Sequence, residues 1–157
     1  MNLSTIFKPA QFTSEVCVGL KYFAETLKRG RCNLSPAYQR GSVWSQEQRE
    51  NFMGHLLQGG EVAPLIVQRV PDARESEMLD GKQRAEAILA WLCNEVGARL
   101  ADGTLLFFRD VTGGINRIDV RVRYINLPWE ERKSFYVRLN SAGTPHTREQ
   151  LLAAMAA

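Results

Sequence analysis

The chain has 157 residues, the size of one ordinary domain, and is long enough to bury a hydrophobic core without disulfides or metal ions. Lysine and arginine number 20 against 17 for aspartate and glutamate, and the net charge of +3 permits contact with a nucleotide or nucleic acid without requiring it. Three cysteines without a Cys-x-x-Cys pair and two histidines argue against a disulfide framework, a zinc site and a self-contained His-Asn-His nuclease.

The first predicted element is a helix over residues 14–29, which ends at Gly30 and is followed by a short strand at 31–34. Its core face consists of apolar residues at helical spacing: Val16, Leu20, Phe23, Ala24 and Leu27. Cys17 in this segment, and Cys93 later in the chain, lie among apolar residues, so both are expected to be small buried side chains.

A capping box, Ser45-x-x-Gln48, predicts the start of a second helix, which the glycine pair at residues 59–60 ends. Four apolar residues form the expected buried stripe of this helix: Phe52, Met53, Leu56 and Leu57.

A β-hairpin is predicted next, with strands at residues 64–67 and 77–79 joined by a turn at 71–72. A third helix is expected over residues 82–98, immediately after the hairpin. Its core face is again a set of apolar residues at helical spacing: Ala85, Ile88, Leu89, Leu92 and Val96.

The last third of the chain begins with a tight turn at residues 102–103. Residues 118–124 alternate between apolar and polar side chains, which predicts a half-solvated strand. Pro128 fits the first position of a fourth helix, and a capping box at residues 147–150 opens another. The whole chain is therefore expected to form a single α+β domain, with a small mixed sheet flanked by helices.

Membrane insertion is not expected, because no stretch reaches the roughly 18 apolar residues that cross a bilayer. The N-terminus also lacks the basic-then-apolar pattern of a signal peptide, so a cytoplasmic location is expected.

The sequence Asp80-Gly81-Lys82-Gln83-Arg84 lies where a strand, a tight turn and a helix meet. Gly81 allows a sharp bend, and the first turn of a helix has unpaired N–H groups and a partial positive charge, which together favour an anion. Lys82 and Arg84 oppose the helix dipole unless a phosphate binds there. Alternatively, Asp80 and Gln83 form a plain capping box and the two cations pair with nearby acids. Local chemistry leaves both interpretations open.

A second polar segment lies between the predicted strand at 31–34 and the second helix. Its aromatic, amide and guanidinium groups, Tyr38, Gln39 and Arg40, could stack on a base and read it. Tyr38 and Trp44 could instead pack into the core, and this alternative is favoured for Trp44 because large aromatic side chains are mostly buried. Arg40 is favoured as a functional residue.

Two later groups of residues are weaker candidates. Arg138 and Asn140 end the fourth predicted helix, where they could bind a ligand or simply satisfy helix carbonyls and cap the helix. Arg117, Arg121 and Arg123 could contact DNA phosphates from the strand at 118–124. A solvated strand face is the favoured interpretation of these three arginines.

Taken in order, these segments resemble the N-terminal domain family of GmrSD-type modification-dependent restriction systems, over about residues 14–152. The family pattern is Pro-x-Tyr-Gln-Arg-x-x-x-Trp, a Pro-led strand, Asp-Gly-Gln-Gln-Arg opening a helix, and Arg-x-Asn-x-x-Gly before a capped helix. The matching residues of this chain are Pro36, Tyr38, Gln39, Arg40, Trp44, Pro64, Asp80, Gly81, Gln83, Arg84, Arg138, Asn140, Gly143 and Thr147.

The resemblance implies a ParB/sulfiredoxin-like fold, in which the turn before the equivalent helix holds nucleotide phosphates: CTP in ParB proteins and ATP in sulfiredoxins. It implies that Asp80, Gly81, Gln83 and Arg84 form the phosphate and metal site, with Mg²⁺ at Asp80, and that Arg40 and Asn140 line the same pocket. It also links the domain to nucleoside-triphosphate hydrolysis and to sensing modified phage DNA.

The chain departs from the family pattern at two points. Lys82 replaces the usual glutamine, which suits phosphate but could alter hydrolysis. The chain also stops before the helical region and the His-Asn-His nuclease that often follow, so DNA cleavage would need a partner.

The leading hypothesis is therefore a nucleotide-binding domain of a DNA-directed defence, counter-defence or mobile-element system, with slow Mg²⁺-dependent hydrolysis. In it Lys82 and Arg84 clamp phosphates, while Asp80 holds Mg²⁺ or positions the attacking water. Arg84→Ala is expected to abolish binding with little effect on the melting temperature. The alternatives are a DNA-binding module without catalysis, and an interaction or inhibitor protein that docks a host enzyme through residues 151–155.

Overall fold

The computed structural model describes residues 12–37, 39, 41, 43–69 and 75–141, without the side chains at 12–13 and 140–141. The described elements are strand β1 Phe12–Gly19, helix α1 Leu20–Lys28, strand β2 Cys32–Asn33, helix α2 Gln46–Leu57, strands β3 Leu65–Gln68 and β4 Ser76–Asp80, helix α3 Lys82–Leu92, strands β5 Ala98–Arg99 and β6 Leu105–Leu106, short 3-10 turns at Phe108–Asp110 and Ile115–Arg117, strand β7 Asp119–Ile125, and helix α4 Trp129–Ser141.

A five-stranded mixed sheet has the order β1-β7-β3-β4-β2, and β5 pairs with β6 in a separate small hairpin. Strand β7 is antiparallel to β1 and parallel to β3, whereas β3 and β4 form the predicted antiparallel hairpin. Strand β2 pairs parallel to β4 at the edge. This architecture confirms the expected α+β class, with a small mixed sheet flanked by helices.

The two faces of the sheet pack against different helices. Leu65, Met78 and Val122 belong to the larger core cluster, which also contains buried side chains of α1, α2 and α3. On the other face, Leu79 forms a smaller cluster with Tyr136 of α4 and with the following residues: Ile66, Ile125 and Leu127. Because successive side chains of a strand point to opposite faces, the short strands can be buried on both sides.

The prediction of a helix beginning at residue 14 is wrong over residues 14–19, which form strand β1. Val16 and Val18 alternate along the strand and pair with Val122 and Val120 of β7, and β-branched residues suit such a pleated surface. The helix begins only at Leu20, and its predicted core face is confirmed from there on by the burial of Leu20, Phe23, Ala24 and Leu27.

The third helix is shorter than predicted, since it ends at Leu92 instead of continuing to residue 98. Asn94 adopts a left-handed conformation with φ 61°, which stops the helix. Gly97 then lets the chain approach β6, because a Cβ there would lie 2.9 Å from Leu105 Cβ. Val96 is buried as predicted, but from the loop that leads into β5.

Other local predictions are confirmed. Ser45 is the N-cap of α2, with both hydrogen bonds of the capping box to Gln48 present. The strand predicted at 118–124 is β7, and α4 begins one residue after Pro128. The predicted turn at 71–72 and the predicted capping box at 147–150 lie outside the described residues.

The expectation that Cys17 and Cys93 are buried is wrong, because both are exposed and Cys32 is the buried cysteine. Burial raises the pKa of the Cys32 thiol from its ordinary 9.0 to about 12, with smaller contributions from the charges of Glu77 and Glu75. The thiolate is the reactive form of cysteine. Cys32 is therefore both shielded and protonated at neutral pH.

We expect a thiol reagent such as DTNB to label Cys17 and Cys93 in the folded protein, and Cys32 only after denaturation. Titration of the native and the urea-unfolded protein, with a Cys32→Ala variant to assign the slow thiol, measures this. Because the pKa of Cys32 is raised in the folded state, its contribution to stability should be present below pH 9 and should be lost as the pH rises to about 12. Rapid labelling of all three thiols in the native protein would contradict the burial of Cys32.

Candidate functional site

The chain turns sharply between strand β4 and helix α3. Gly81 has φ 94° and ψ 15°, a left-handed conformation that favours glycine, and a Cβ there would lie 2.2 Å from Leu65 Cδ2. Gly81 is also the N-cap of α3, and no side chain caps this helix end. The capping box made by Asp80 and Gln83 is therefore wrong, because Gly81 occupies the cap position. The other part of that alternative, in which the two cations pair with nearby acids, is confirmed by the pairs Arg84–Asp80 and Lys82–Glu86.

Arg84 is the partner of Asp80, and its guanidinium group also binds the backbone of the loop before β3. Its Nη2 donates to Asp80 Oδ2 at 2.9 Å, and its Nη1 donates to the carbonyl oxygen of Ala63 and lies 3.5 Å from that of Pro64. The Arg84 side chain is only 15% exposed, against 37% for Asp80. Arg84 thus holds residues 63–64 against the start of α3, and removing its side chain should affect stability, contrary to the expectation from sequence.

Lys82 is almost buried, with 8% of its surface exposed, although it lies in the first turn of a helix that carries no acidic residue there. Its Nζ donates to Ser35 Oγ at 2.8 Å and lies 4.0 Å from Glu86 Oε1. An ammonium group in the first turn is opposed by the helix dipole, and burial removes part of its hydration. Burial and the helix dipole therefore both disfavour the ammonium group, and its contacts with Ser35 and Glu86 offset part of this cost.

Gln83 and Gln39 join the second polar segment to the same turn. Gln83 Oε1 accepts hydrogen bonds from the backbone N–H groups of Val43 and Trp44, both at 2.9 Å, and Gln39 Nε2 donates to the carbonyl oxygen of Met78. Two segments far apart in sequence therefore meet at the start of α3.

Trp44 itself packs into the core, as favoured from the sequence. It is half-buried against the larger core cluster, with its ring centroid 5.4 Å from that of Phe52. Tyr38 and Arg40, the neighbours of Gln39, lie outside the described residues.

Helix α4 crosses β4 on the opposite face of the sheet. Arg132 lies 3.3 Å from Glu77, and one helical turn later Tyr136 joins the cluster that contains Leu79. The side chain of Asn140 is outside the described part, and Arg138 is exposed on this last stretch of the helix.

The three arginines considered for DNA binding are in different surroundings. Arg121 donates to the carbonyl oxygen of Val62 at 3.0 Å and lies 3.3 Å from Glu61 Oε1. Arg123 pairs with Glu15 on the neighbouring strand β1. Arg117 is exposed in the second 3-10 turn. Two of the three charges are thus paired with carboxylates, one on strand β1 and one in the loop before β3.

A cavity of about 250 Å³ adjoins the turn and lies between the end of α2, the start of α3 and β7. Arg84 and Arg121 line it together with an apolar floor made by Phe52, Leu56, Leu65, Ile88 and Val120. Within the described residues no group of three or more His, Cys, Asp or Glu side chains could hold a metal ion by itself. None of the helices in that part of the chain is long and apolar enough to cross a membrane.

The sequence over residues 23–128 matches the family described as GmrSD restriction endonuclease, N-terminal domain. Among solved structures, the chain is similar to the C-terminally truncated chromosome-partitioning protein ParB from Caulobacter crescentus complexed with CTP-gamma-S, with 13% identity and a TM-score of 0.48. That similarity covers 85% of this chain and 56% of the ParB chain, so the present chain spans little more than half of that structure. No curated protein matches the sequence. The family match contains both the 36–44 segment and the 80–84 turn, and the chain belongs to the family of GmrSD restriction endonuclease N-terminal domains.

Proposed function

We propose that this domain binds a nucleoside triphosphate and that the phosphates lie against the turn at residues 80–84. One observation carries the proposal: helix α3 begins at a left-handed glycine without a side-chain cap or an acidic residue in its first turn, yet with Lys82 and Arg84 there. A bound phosphate would turn the unfavourable interaction of these cations with the helix dipole into a favourable site for an anion.

The contacts around the turn refine the role of each side chain. Because Gln83 and Arg84 bind backbone groups of two loops, they serve chiefly to hold those loops around the start of α3. The N–H groups of the first helical turn have no partner within the helix, and together with Lys82 they contact the phosphates. Arg84 adds positive charge beside them. Gln39, with Tyr38, Arg40, Arg138 and Asn140, completes the proposed pocket.

Asp80 is the proposed metal contact. Mg²⁺ in nucleotide sites is usually held by one or two carboxylates together with substrate phosphates and several waters, and Asp80 supplies one partly exposed carboxylate. Its bond to Arg84 favours a water-mediated contact over a direct one. When bound, Mg²⁺ would neutralise phosphate charge. Slow hydrolysis, with Asp80 and Arg84 as the catalytic pair, is part of the proposal.

Family membership supports a place for the domain in a restriction system, and we propose that this system is a DNA-directed phage defence in the cytoplasm. A nuclease is the proposed partner of the domain in such a system. A DNA-binding module using Arg117, Arg121 and Arg123 is less well supported, since carboxylates oppose two of these charges. The alternative of a protein that docks a host enzyme relied on residues 151–155, which lie outside the described part.

A titration with ATP, GTP, CTP and UTP in the presence of Mg²⁺ tests the proposal directly. At a concentration of 100 times Kd a ligand adds about 2.7 kcal/mol to the free energy of unfolding. For a domain of this size that corresponds to a rise of roughly 5–10 °C in the melting temperature. Calorimetry would measure the affinity, and release of phosphate would measure hydrolysis. A folded protein that binds none of the four nucleotides would exclude the proposed function.

Lys82→Met tests the contact of this lysine with the phosphates, and its melting temperature is measured beside its affinity. The substitution removes a charge that burial and the helix dipole disfavour, but it also removes the bond to Ser35 and the cation 4.0 Å from Glu86, so some loss of stability is expected. Loss of a hydrogen bond to a charged group, about 1.5–3 kcal/mol, predicts weaker binding by roughly 10- to 150-fold. Lys28→Met, which removes a lysine from the far end of α1, is the matched control and should bind normally.

A further inference from the structure

A second cleft lies on the opposite side of α1 from the core. Its lining is polar, whereas the cavity beside the turn has an apolar floor. The second cleft measures about 670 Å³ and opens between α1, the start of β4 and the second 3-10 turn. Its polar and aromatic lining includes Lys21, Tyr22, Glu25, Arg29, Arg31 and Asn116. Nothing in the proposed nucleotide site uses these side chains.

The charge of this cleft is positive, since three basic side chains face a single carboxylate there. Among the described residues, the side chains of Lys21, Arg29 and Arg31 make no ion pair or hydrogen bond with one another or with any neighbour. Arg29 follows the last turn of α1, where the helix dipole favours a cation. Lys21 lies in the first turn, where the dipole disfavours one and no acidic residue compensates it.

Tyr22 gives the cleft an aromatic surface. It is 72% exposed, more than the other large hydrophobic side chains in the described part of the chain. Its backbone carbonyl accepts a hydrogen bond from Thr26 Oγ1, but its ring faces solvent beside the cations. An exposed ring beside basic side chains that pair with none of the described residues is the combination on which bases of an unpaired strand stack while phosphates contact the cations.

We infer that this cleft binds single-stranded nucleic acid, with a base stacked on Tyr22 and the backbone held by Lys21, Arg29 and Arg31. Lys21 lies in the first turn of α1 and Arg29 directly after its last residue, about 12 Å apart along the helix axis. They therefore offer two separate contacts along a strand. Stacking on Tyr22 requires an unpaired base, so single-stranded nucleic acid is favoured over a duplex. DNA and RNA share this chemistry.

Glu25 is the group that opposes such binding. It lies between Lys21 and Arg29 at a spacing of four residues on the same helix face, where it attracts both cations in the free protein. A phosphate in the cleft would be repelled by this carboxylate. Glu25 therefore provides a test of opposite sign: removing it should tighten binding.

The experiment is fluorescence anisotropy with short labelled oligonucleotides: a DNA strand, an RNA strand of the same sequence and the DNA duplex, from about 50 to 200 mM salt. Tyr22→Ala should weaken strand binding roughly 5- to 150-fold, and Tyr22→Phe should preserve it. Lys21→Gln with Arg29→Gln should reduce the slope of log K against log salt by about 1.4. Glu25→Gln should strengthen binding. Arg109→Gln, at an exposed arginine outside the cleft, is the control and should change neither affinity nor selectivity.

A difference between the DNA and RNA strands would identify which of the two the cleft prefers. Tighter binding to the duplex, or equal binding by Tyr22→Ala and the wild-type protein, would overturn the inference, as would the absence of strand binding at low salt. Apart from Glu25, which is half-buried, these variants change exposed side chains, so their melting curves should coincide with that of the wild-type protein. The outcome is independent of the nucleotide titration, because neither site shares a residue with the other.

Discussion

Gly54→Ala is expected to lower the free energy of unfolding by roughly 3 kcal/mol, at the upper end of the cost of overpacking a core. Alanine is ordinarily the better helix residue by about 1 kcal/mol, so propensity alone predicts the opposite sign. Gly54 is buried in α2, where it faces β5, and a Cβ there would lie 1.8 Å from the carbonyl oxygen of Arg99 and 2.7 Å from its carbonyl carbon. Backbone atoms cannot rotate away as a flexible side chain can.

Urea unfolding followed by circular dichroism measures this change. Gly113→Ala is the control, because no atom lies within 4 Å of a Cβ at that position and its φ is not in the left-handed region. Its stability should be unchanged or slightly raised. If Gly54→Ala were as stable as the wild-type protein, the close approach of α2 to β5 would be refuted.

Arg99→Ala should also be strongly destabilising, by about 3 kcal/mol, because it breaks a buried ion pair from one side. Glu50 is 3% exposed, and its carboxylate accepts hydrogen bonds from Arg99 and, at 2.8 Å, from Gln46. The Arg99 side chain is 38% exposed, which places the effect at the lower end of the range for buried pairs. Without Arg99, the carboxylate of Glu50 stays buried, and the hydrogen bond that it keeps among the described residues comes from the neutral amide of Gln46.

A double variant distinguishes the lost charge partner from lost packing. Glu50→Gln in the Arg99→Ala background removes the unpaired charge and should recover much of the stability, as a double-mutant cycle would report. Arg123→Ala is the matched control, since its pair with Glu15 has both side chains substantially exposed and should contribute less than about 1 kcal/mol. Equal effects of Arg99→Ala and Arg123→Ala would show that burial of Glu50 has no energetic consequence.

The elements that were predicted correctly are those specified by nearby residues. The capping box at Ser45 and Gln48 and the β3–β4 hairpin depend on contacts within a few residues, and the alternation in β7 needs only the strand itself. Strand β1 was missed for the opposite reason. Its residues fit a helical spacing locally, and only pairing with β7, about a hundred residues away, decides in favour of a strand.

In the candidate site, too, the locally specified features were predicted and those that depend on distant contacts were not. Its place at the start of α3 followed from a glycine and two cations in sequence. The partners of Gln83 and Arg84 did not, because both side chains bind backbone groups of distant loops. The capping-box alternative failed since the left-handed conformation of Gly81 puts it, and not Asp80, at the N-cap. A sequence pattern identifies such residue types, but their hydrogen-bond partners depend on the fold.

The pairing of β1 with β7 also has a consequence for folding during synthesis. Gly19 pairs with Asp119 and Phe12 with Ile125, so β1 cannot pair until β7 has been synthesised. At about 5–20 residues per second, roughly 5–20 s separate the two on the ribosome. Such long-range pairing slows folding in general. During that interval β1 is an unpaired edge, and the exposed charge of Glu15 on it is the kind of residue that discourages pairing with other chains.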